Sequence, residues 1–396
     1  MSDPSPANPS DQGKSTRIIT VKESRLTLAD LLDDLLWPKL LRAPALGIQP
    51  ARMGIALFTL VLIGLIGSAN AWISDAPPFL ATLASLPLPP TEVAEYSEST
   101  LARTLSRFRA VVASHPVELI LQGVPMIAVL AVGWGAISRM SAAEFAGGVR
   151  MSWPEGLGFV TSRLLSFIGT AIGAPALIGM CCLLLALAGF LFLQVPVLNI
   201  VGAVLFPIGL LLALLATLLT LGLVIGGHLL VPAMACEGTD AIDALQRTYA
   251  YAIARPGRLV AYTLVMLAVV ALAALVLGSI ATGVEFVARN ATAAWMGDES
   301  ARVLASQASG SAGESLTGLR AVSAGIINFW IGLVWMICVA AVYSTFAAGS
   351  TVLYLIVRQV CDGQDWGELW FPENADAGRD ELVAEAGDVH SARAVA

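Results

Sequence analysis

The stretch from Leu164 to Cys236 constrains the fold most, because it runs for 73 residues without one Asp, Glu, Lys or Arg. A helix needs about 20 mostly apolar residues to cross roughly 30 Å of hydrocarbon, so this stretch predicts two spans. Pro196 and Asn199 interrupt it, and both are typical turn residues. We therefore predict a helical hairpin with spans at about 164–193 and 200–235.

Four further apolar runs have the length of a span. The chain is 57% apolar and 13% charged, whereas soluble globular proteins carry about 25% charged residues. The prediction is an all-α, polytopic membrane helix bundle of six transmembrane helices within residues 53–357. The last run is longer than the bilayer requires, which favours a tilted or extended helix. The remaining spans are expected at about 53–74, 117–138, 259–284 and 321–357.

The two ends of the chain are more polar. Residues 1–25 are rich in Pro, Ser, Asp and Lys, which predicts a disordered tail. In residues 26–52, leucines share one helical face and aspartates the other, which predicts an amphipathic helix at the membrane surface. Residues 358–396 are predicted to form an acidic cytoplasmic tail.

Lys and Arg set the expected orientation. Sixteen of the 22 Lys and Arg residues fall on the side that carries both termini. The positive-inside rule then places both termini in the cytoplasm, and we expect a multi-pass protein of a bacterial inner (cytoplasmic) membrane. The net charge of −7 comes mostly from the acidic tail, so it gives no reason to expect nucleic acid.

A polar elbow separates the fourth and fifth spans. An apolar segment ends at Ala235, a short polar opening follows, and a helix with an apolar face leads to the next span after Arg258. Arginine at such a rim is expected to extend its charged head toward water. The residues of this elbow motif are Glu237, Gly238, Thr239, Asp240, Arg247, Pro256 and Arg258.

The same order occurs three times along the chain. Amphipathic segments at residues 26–42 and from Ser152 onward also precede pairs of spans, and parallel repeats recur in membrane proteins. We therefore predict three helical hairpins, each preceded by an amphipathic cytoplasmic elbow helix. The alternative is that any cytoplasmic loop between spans tends to be amphipathic and basic.

The elbow also carries a family resemblance. Val231-Pro232-Ala233, Glu237-Gly238, Ala244-Leu245 and Arg255-Pro256 resemble the membrane module found beside some bacterial glycerophosphodiester phosphodiesterases. They resemble more closely a set of uncharacterised bacterial six-span membrane proteins, and residues 358–370 resemble how those chains end. The catalytic domain of the phosphodiesterases is missing, so the resemblance implies a six-span module without that activity.

Patterns that carry chemistry are scarce. The sequence has no Gly-rich phosphate-binding loop, no Gly-x-Ser-x-Gly and no His-Glu-x-x-His. The cysteine spacings match no metal motif, so we expect no catalytic constellation, cofactor or metal. Three polar side chains within spans remain as candidates, His228, Gln122 and Asn328. A histidine inside a span suggests function by default, and the alternative for His228 is a hydrogen bond to a neighbouring helix.

The sequence is compatible with three functions. The first is a non-enzymatic scaffold or assembly partner that acts through its elbows and tail, with the lipid bilayer and a membrane-protein partner or second copy as partners. The alternative is a permease for a neutral or lipid-like small molecule, with His228, Gln122 and Asn328 along its route. A lipid-modifying enzyme is third, because acid, base and metal-ligand groups do not converge. Trp366 and Trp370 are expected either at the membrane surface or against the third elbow.

Overall fold

A computed structural model of the chain describes residues 36–73, 116–194, 198–297 and 319–369, and all regular structure in these ranges is helical. Six helices are long and apolar enough to cross a membrane, which confirms the all-α, polytopic bundle. The predicted tail at 1–25, the first part of the segment at 26–52, and the acidic tail from residue 370 lie outside the described residues.

Short helices alternate with long ones. A 3₁₀ segment at Trp37–Arg42 precedes α1, a π-helical segment at Gly189–Leu193 follows α5, and a 3₁₀ turn at Gly227–Leu229 joins α6 to α7. The α-helices are α1 (Ala43–Gly47), α2 (Pro50–Ile73), α3 (Pro116–Gly147), α4 (Trp153–Ser162), α5 (Leu164–Ala188), α6 (Leu198–Gly226), α7 (Leu230–Glu237), α8 (Ala241–Ala254), α9 (Pro256–Ala293) and α10 (Leu319–Asp362).

A short helical segment precedes the first helix of each of the three hairpins, as predicted. Elbow 1 is Trp37–Gly47, elbow 2 is α4 and elbow 3 is α8. The described part of elbow 1 is a 3₁₀ segment and a short α-helix that ends at Gly47, and α2 then begins at Pro50. Proline suits the first turn of a helix because its missing N–H is not needed there, which explains the start of α2.

The helices α3, α7 and α10 form the centre of the bundle and contact each other pairwise. Helices α2 and α5 pack outside them, with α2 against α3 and α10, and α5 against α3 and α7, while α9 packs against α10. Elbow 2 packs back on α3 and elbow 3 on α7, whereas elbow 1 packs on α10, the last span. The first elbow therefore joins the beginning of the described chain to its final helix.

Each central helix ends at a glycine in the left-handed conformation. Gly148, Gly238 and Gly363 have φ angles of 66°, 60° and 69°. Glycine adopts positive φ without the steric cost that a Cβ atom brings, and it commonly terminates helices in this way. The three glycines let the chain leave its helix at the same end of the bundle, which we call the elbow side.

Elbow 1 approaches α10 closely. A Cβ atom added to Gly47 would overlap the backbone of Thr345, and the Ser344 hydroxyl donates a 2.8 Å hydrogen bond to the Gly47 carbonyl. Small residues permit helices to approach this closely in membranes. The contact brings elbow 1 against the elbow-side half of α10.

Helices α3 and α9 extend furthest beyond the predicted spans. Helix α3 continues to Gly147, past the expected end at Ser138, and α9 continues to Ala293, past Val284. The predicted spans end before the charged residues Arg139 and Glu285, but Arg139 donates to the Ala235 carbonyl and Glu285 pairs with Arg289. Because the charges have partners, the helices need not end where the apolar runs end.

The hairpin of α5 and α6 is the most exposed part of the bundle. In its two spans only 6% of the most apolar window is buried within the chain, against 39% for α3. The large surface of α5 and α6 therefore faces lipid or another protein.

Candidate functional site

Three arginines lie buried at the elbow side. Arg52, Arg139 and Arg358 are each only 1% exposed. Burying a charge is costly unless it is paired and hydrogen-bonded, so the partners of these side chains decide how this end of the bundle is built. We call the set Arg52, Arg139, Glu144, Glu237 and Arg358 the elbow layer.

Glu237 joins α7 to α10 in this layer. The Arg358 Nη1 atom donates a 2.9 Å hydrogen bond to Glu237 Oε1, and the Tyr354 hydroxyl donates to the same oxygen at 3.0 Å. Arg247 of elbow 3 lies 3.4 Å from the other carboxylate oxygen. The first residue of the predicted elbow motif therefore ties two central helices and elbow 3 together.

Glu144 performs the same role for the first hairpin. The Arg52 Nη2 atom donates hydrogen bonds to Glu144 Oε2 at 2.7 Å and to the Met140 carbonyl at 2.8 Å. Gln49 donates to the other oxygen of Glu144 at 2.7 Å. Arg52, in the first turn of α2, is thus buried against α3 and does not extend its charged head toward water.

Arg139 connects α3, α7 and elbow 2. Its Nη1 atom donates a 3.1 Å hydrogen bond to the carbonyl of Ala235. Its guanidinium carbon lies 4.5 Å from the centroid of the Phe159 ring, and a cation over an aromatic face is attracted to it electrostatically. Since Arg52 Nη1 also donates to the Leu46 carbonyl of elbow 1, each of the three elbows contacts this layer.

The segment after α10 packs against the elbow side of the bundle. Arg358 Nη2 donates a 2.8 Å hydrogen bond to the Asp365 carbonyl. The Trp366 ring stacks on Phe145 at 5.3 Å between centroids, and Lys39 Nζ lies 3.6 Å from the centroid of Trp366. Trp366 thus docks on the end of α3 and on elbow 1, and the expectation of a site against the third elbow is wrong for it. Trp370 lies outside the described residues.

Elbow 3 is also tied to the end of α10. The Tyr251 hydroxyl donates a short hydrogen bond to Asp362 Oδ2. Burial, together with this hydrogen bond to a carboxylate, raises the pKa of Tyr251 well above its usual range. Tyr251 therefore keeps its proton and remains a donor to α10 at physiological pH.

The other residues of the elbow motif serve the turn and the helix ends. Gly238 ends α7 with positive φ, Asp240 precedes the first residue of α8, and Pro256 begins α9. Thr239 Oγ1 is buried and has no hydrogen-bond partner among the described residues. Arg258 is exposed, and among the described residues the ion pairs of the motif involve Glu237 and Arg247.

The three predicted intramembrane candidates lie apart. His228 Nε2 lies 3.2 Å from the Thr263 hydroxyl oxygen of α9. Gln122 is 4% exposed, and neither atom of its amide has a hydrogen-bond partner in the part of the chain that is described. Asn328 is half-buried in α10. The structure brings no two of these three side chains into a hydrogen bond within the described ranges.

Their depths differ as well. At 1.5 Å per residue, His228 lies about 14 Å from Glu237 along its helices. By the same measure Gln122 lies about 26 Å from Arg139, and Asn328 about 45 Å from Arg358. Since Arg139, Glu237 and Arg358 all belong to the elbow layer, the three candidates occupy three different levels of the bundle.

Sequence reasoning missed most of the elbow layer. The sequence patterns place Arg52, Arg139, Glu144 and Arg358 in loops or at span ends, but the structure buries or pairs all of them. The available signal was the opposite charge of Arg52 and Glu144 at the same end of one hairpin. Pairing them requires the register of α2 against α3, which sequence patterns do not provide.

The elbow layer provides groups that attach helices and elbows to one another rather than groups that react. Its carboxylates already bind guanidinium groups, and among the described residues no three His, Cys, Asp or Glu side chains lie close enough together to hold a metal ion. A scan of protein-family models finds no match to this chain, and comparisons with curated proteins and with solved structures find none either.

Proposed function

We propose that this integral membrane protein is a non-enzymatic scaffold or assembly partner that acts through its elbows and tail. The proposal includes a bacterial inner membrane as its location, with the elbow side in the cytoplasm. It also keeps the predicted kinship with uncharacterised six-span membrane proteins as a hypothesis, carried by the elbow residues alone.

The observation that carries the proposal is the elbow layer itself. Its charges pair across helices that are far apart in sequence, as Arg52 does with Glu144 and Arg358 with Glu237. A buried pair loses stability when one partner is removed, so the layer holds the elbows and the segment after α10 in one arrangement. Elbows held in one arrangement present an unchanging surface, and such a surface suits the binding of a partner protein.

Transport receives less support from the same residues. A permease would use His228, Gln122 and Asn328 along one route, but these residues lie at three levels and share no hydrogen bond among the described residues. An apolar groove between α2 and α5 is lined by none of the three. We therefore rank the permease for a neutral or lipid-like molecule second.

The orientation can be tested by thiol labelling. Cysteines are introduced one at a time at Asp243 of elbow 3 and at Gly297 beyond α9, in a variant whose native cysteines are replaced. Both positions are exposed and lie at opposite ends of a span. We expect a membrane-impermeant maleimide added to intact cells to label Gly297→Cys at least ten-fold more than Asp243→Cys. Labelling of Asp243→Cys from outside would reverse the proposed orientation.

The assembly role can be tested by crosslinking in membranes, followed by purification of the full chain and mass spectrometry. We expect a stoichiometric partner, or a second copy, crosslinked to the elbows or the tail. Trp366→Ala removes the stacking on Phe145 and the contact with Lys39, so the yield of that complex should fall several-fold. Trp335→Ala is the matched control, since Trp335 bonds to Glu285 away from the elbow side.

Two results would count against assembly. One is a wild-type protein without crosslinks from its elbows or tail. The other is uptake of a neutral solute into vesicles that depends on Gln122 or Asn328, which would favour the permease.

A further inference from the structure

An apolar groove opens between the first and second hairpins. Its volume is about 690 Å³, within the range of about 300–1,000 Å³ that is usual for small-molecule sites. Helices α2 and α5 form its sides, α3 its floor, and elbow 2 its elbow-side end. Its lining includes Gly54, Phe58, Leu62, Trp153 and Leu164.

The lining matches a hydrocarbon chain. Among the described residues that form the groove, none is charged, and the hydroxyl of Thr59 already donates to the Ile55 carbonyl at 2.8 Å. A side chain that bonds to its own helix offers little to a polar ligand. The groove therefore selects for an apolar occupant.

The length of the groove corresponds to one leaflet. On α2 it extends from Pro50 to Leu62, which is about 18 Å at 1.5 Å per residue. Half of a hydrocarbon core of roughly 30 Å is about 15 Å. Trp153, 57% exposed, stands at the elbow-side end, and tryptophan favours the membrane interface. The groove thus runs from the interface to the middle of the bilayer.

Positive charge borders the mouth. Arg150 lies in the connection that leads to Trp153, and its side chain is 82% exposed. Arg163 directly precedes Leu164, which lines the groove. The nearby Glu144 is paired with the buried Arg52, and Glu155 accepts the Ser152 N–H of the helix cap at 3.0 Å. An anionic headgroup at this mouth would lie beside two guanidinium groups, of which Arg150 also lies 3.7 Å from Glu144 and Arg163 lies 5.9 Å from the centroid of the Phe159 ring.

We propose that this groove holds one acyl chain of an anionic glycerophospholipid from the leaflet on the elbow side, with the headgroup phosphate beside Arg150 and Arg163. The proposal adds a lipid ligand to the suggested scaffold and does not depend on that role, because a bound lipid would serve a scaffold or a permease equally.

The test uses native mass spectrometry of the full chain after exchange into detergent with added phosphatidylglycerol or phosphatidylcholine. Gly54 is the position of choice because a Cβ atom built there meets nothing within 4 Å, so a larger side chain enters the groove. We expect Gly54→Phe to reduce the retained phosphatidylglycerol at least ten-fold, and Gly54→Leu to reduce it less. Gly283→Phe is the matched control, since Gly283 on α9 also has open space around it.

The headgroup is tested by combining Arg150→Gln with Arg163→Gln. We expect this variant to lose its preference for phosphatidylglycerol over phosphatidylcholine by several-fold. Unchanged phosphatidylglycerol retention in both Gly54 variants, with elution and melting like the wild type, would overturn the proposal. So would equal retention of the two lipids by the wild type. A dimer lost in Gly54→Phe with no change in bound lipid would assign the groove to a second copy of the chain.

Discussion

Glu237→Ala is expected to lower the free energy of unfolding by about 3–5 kcal/mol, the loss typical when one partner of a buried ion pair is removed. The side chain of Arg358 is 1% exposed and its Nη1 atom donates to Glu237 at 2.9 Å. Without that carboxylate, a guanidinium group remains buried without its counter-charge. An SDS titration in mixed micelles, followed by circular dichroism, measures the loss.

Two variants separate the buried pair from the exposed one. Arg247 lies 3.4 Å from the same carboxylate, but 37% of its side chain is exposed, so Arg247→Met should cost no more than about 1 kcal/mol. The double variant Glu237→Met with Arg358→Met should recover most of the loss, because apolar residues of similar volume often replace a buried pair at little cost. Equal losses for Glu237→Ala and Arg247→Met would refute the buried character of the Arg358 pair.

Glu144→Ala is expected to be similarly destabilising, by about 3–5 kcal/mol, and to loosen the first hairpin. Arg52 is 1% exposed, and its Nη2 atom is 2.7 Å from the Glu144 carboxylate. Gln49 also donates to this carboxylate, so the substitution leaves the bond from Arg52 to the Met140 carbonyl but weakens the attachment of the start of α2 to α3. Hydrogen–deuterium exchange at residues 46–52 should rise together with the loss of global stability.

The matched control for this pair is Arg150→Ala. Arg150 lies 3.7 Å from Glu144, yet its side chain is 82% exposed, and pairs of this kind are worth at most about 1 kcal/mol. Glu144→Gln is the conservative variant, since its amide oxygen still accepts hydrogen bonds while the charge is lost. Ordinary surface substitutions change the free energy of unfolding by no more than about 0.5 kcal/mol. If Glu144→Ala and Arg150→Ala differed by less than that, Arg52 would not depend on Glu144.

The elbow motif shows how far local patterns reach. The end of α7 at Gly238 and the start of α9 at Pro256 reflect the short-range backbone preferences of glycine and proline. The role of Glu237 could not be read locally, because its partners Tyr354 and Arg358 lie more than a hundred residues away. Trp366 is a further case, since its stacking on Phe145 depends on which helix end lies beneath α10.

What the sequence by itself determined is the class of the protein, the six spans and the order of an elbow before each hairpin. These follow from apolar length and local turn chemistry, because each helix in lipid satisfies its own backbone and needs no neighbour to do so. Only the tertiary structure decided that α3, α7 and α10 form the centre, that elbow 1 closes onto α10, and which charges pair. Those features depend on which helices become neighbours, and hydropathy along one chain carries no information about that choice.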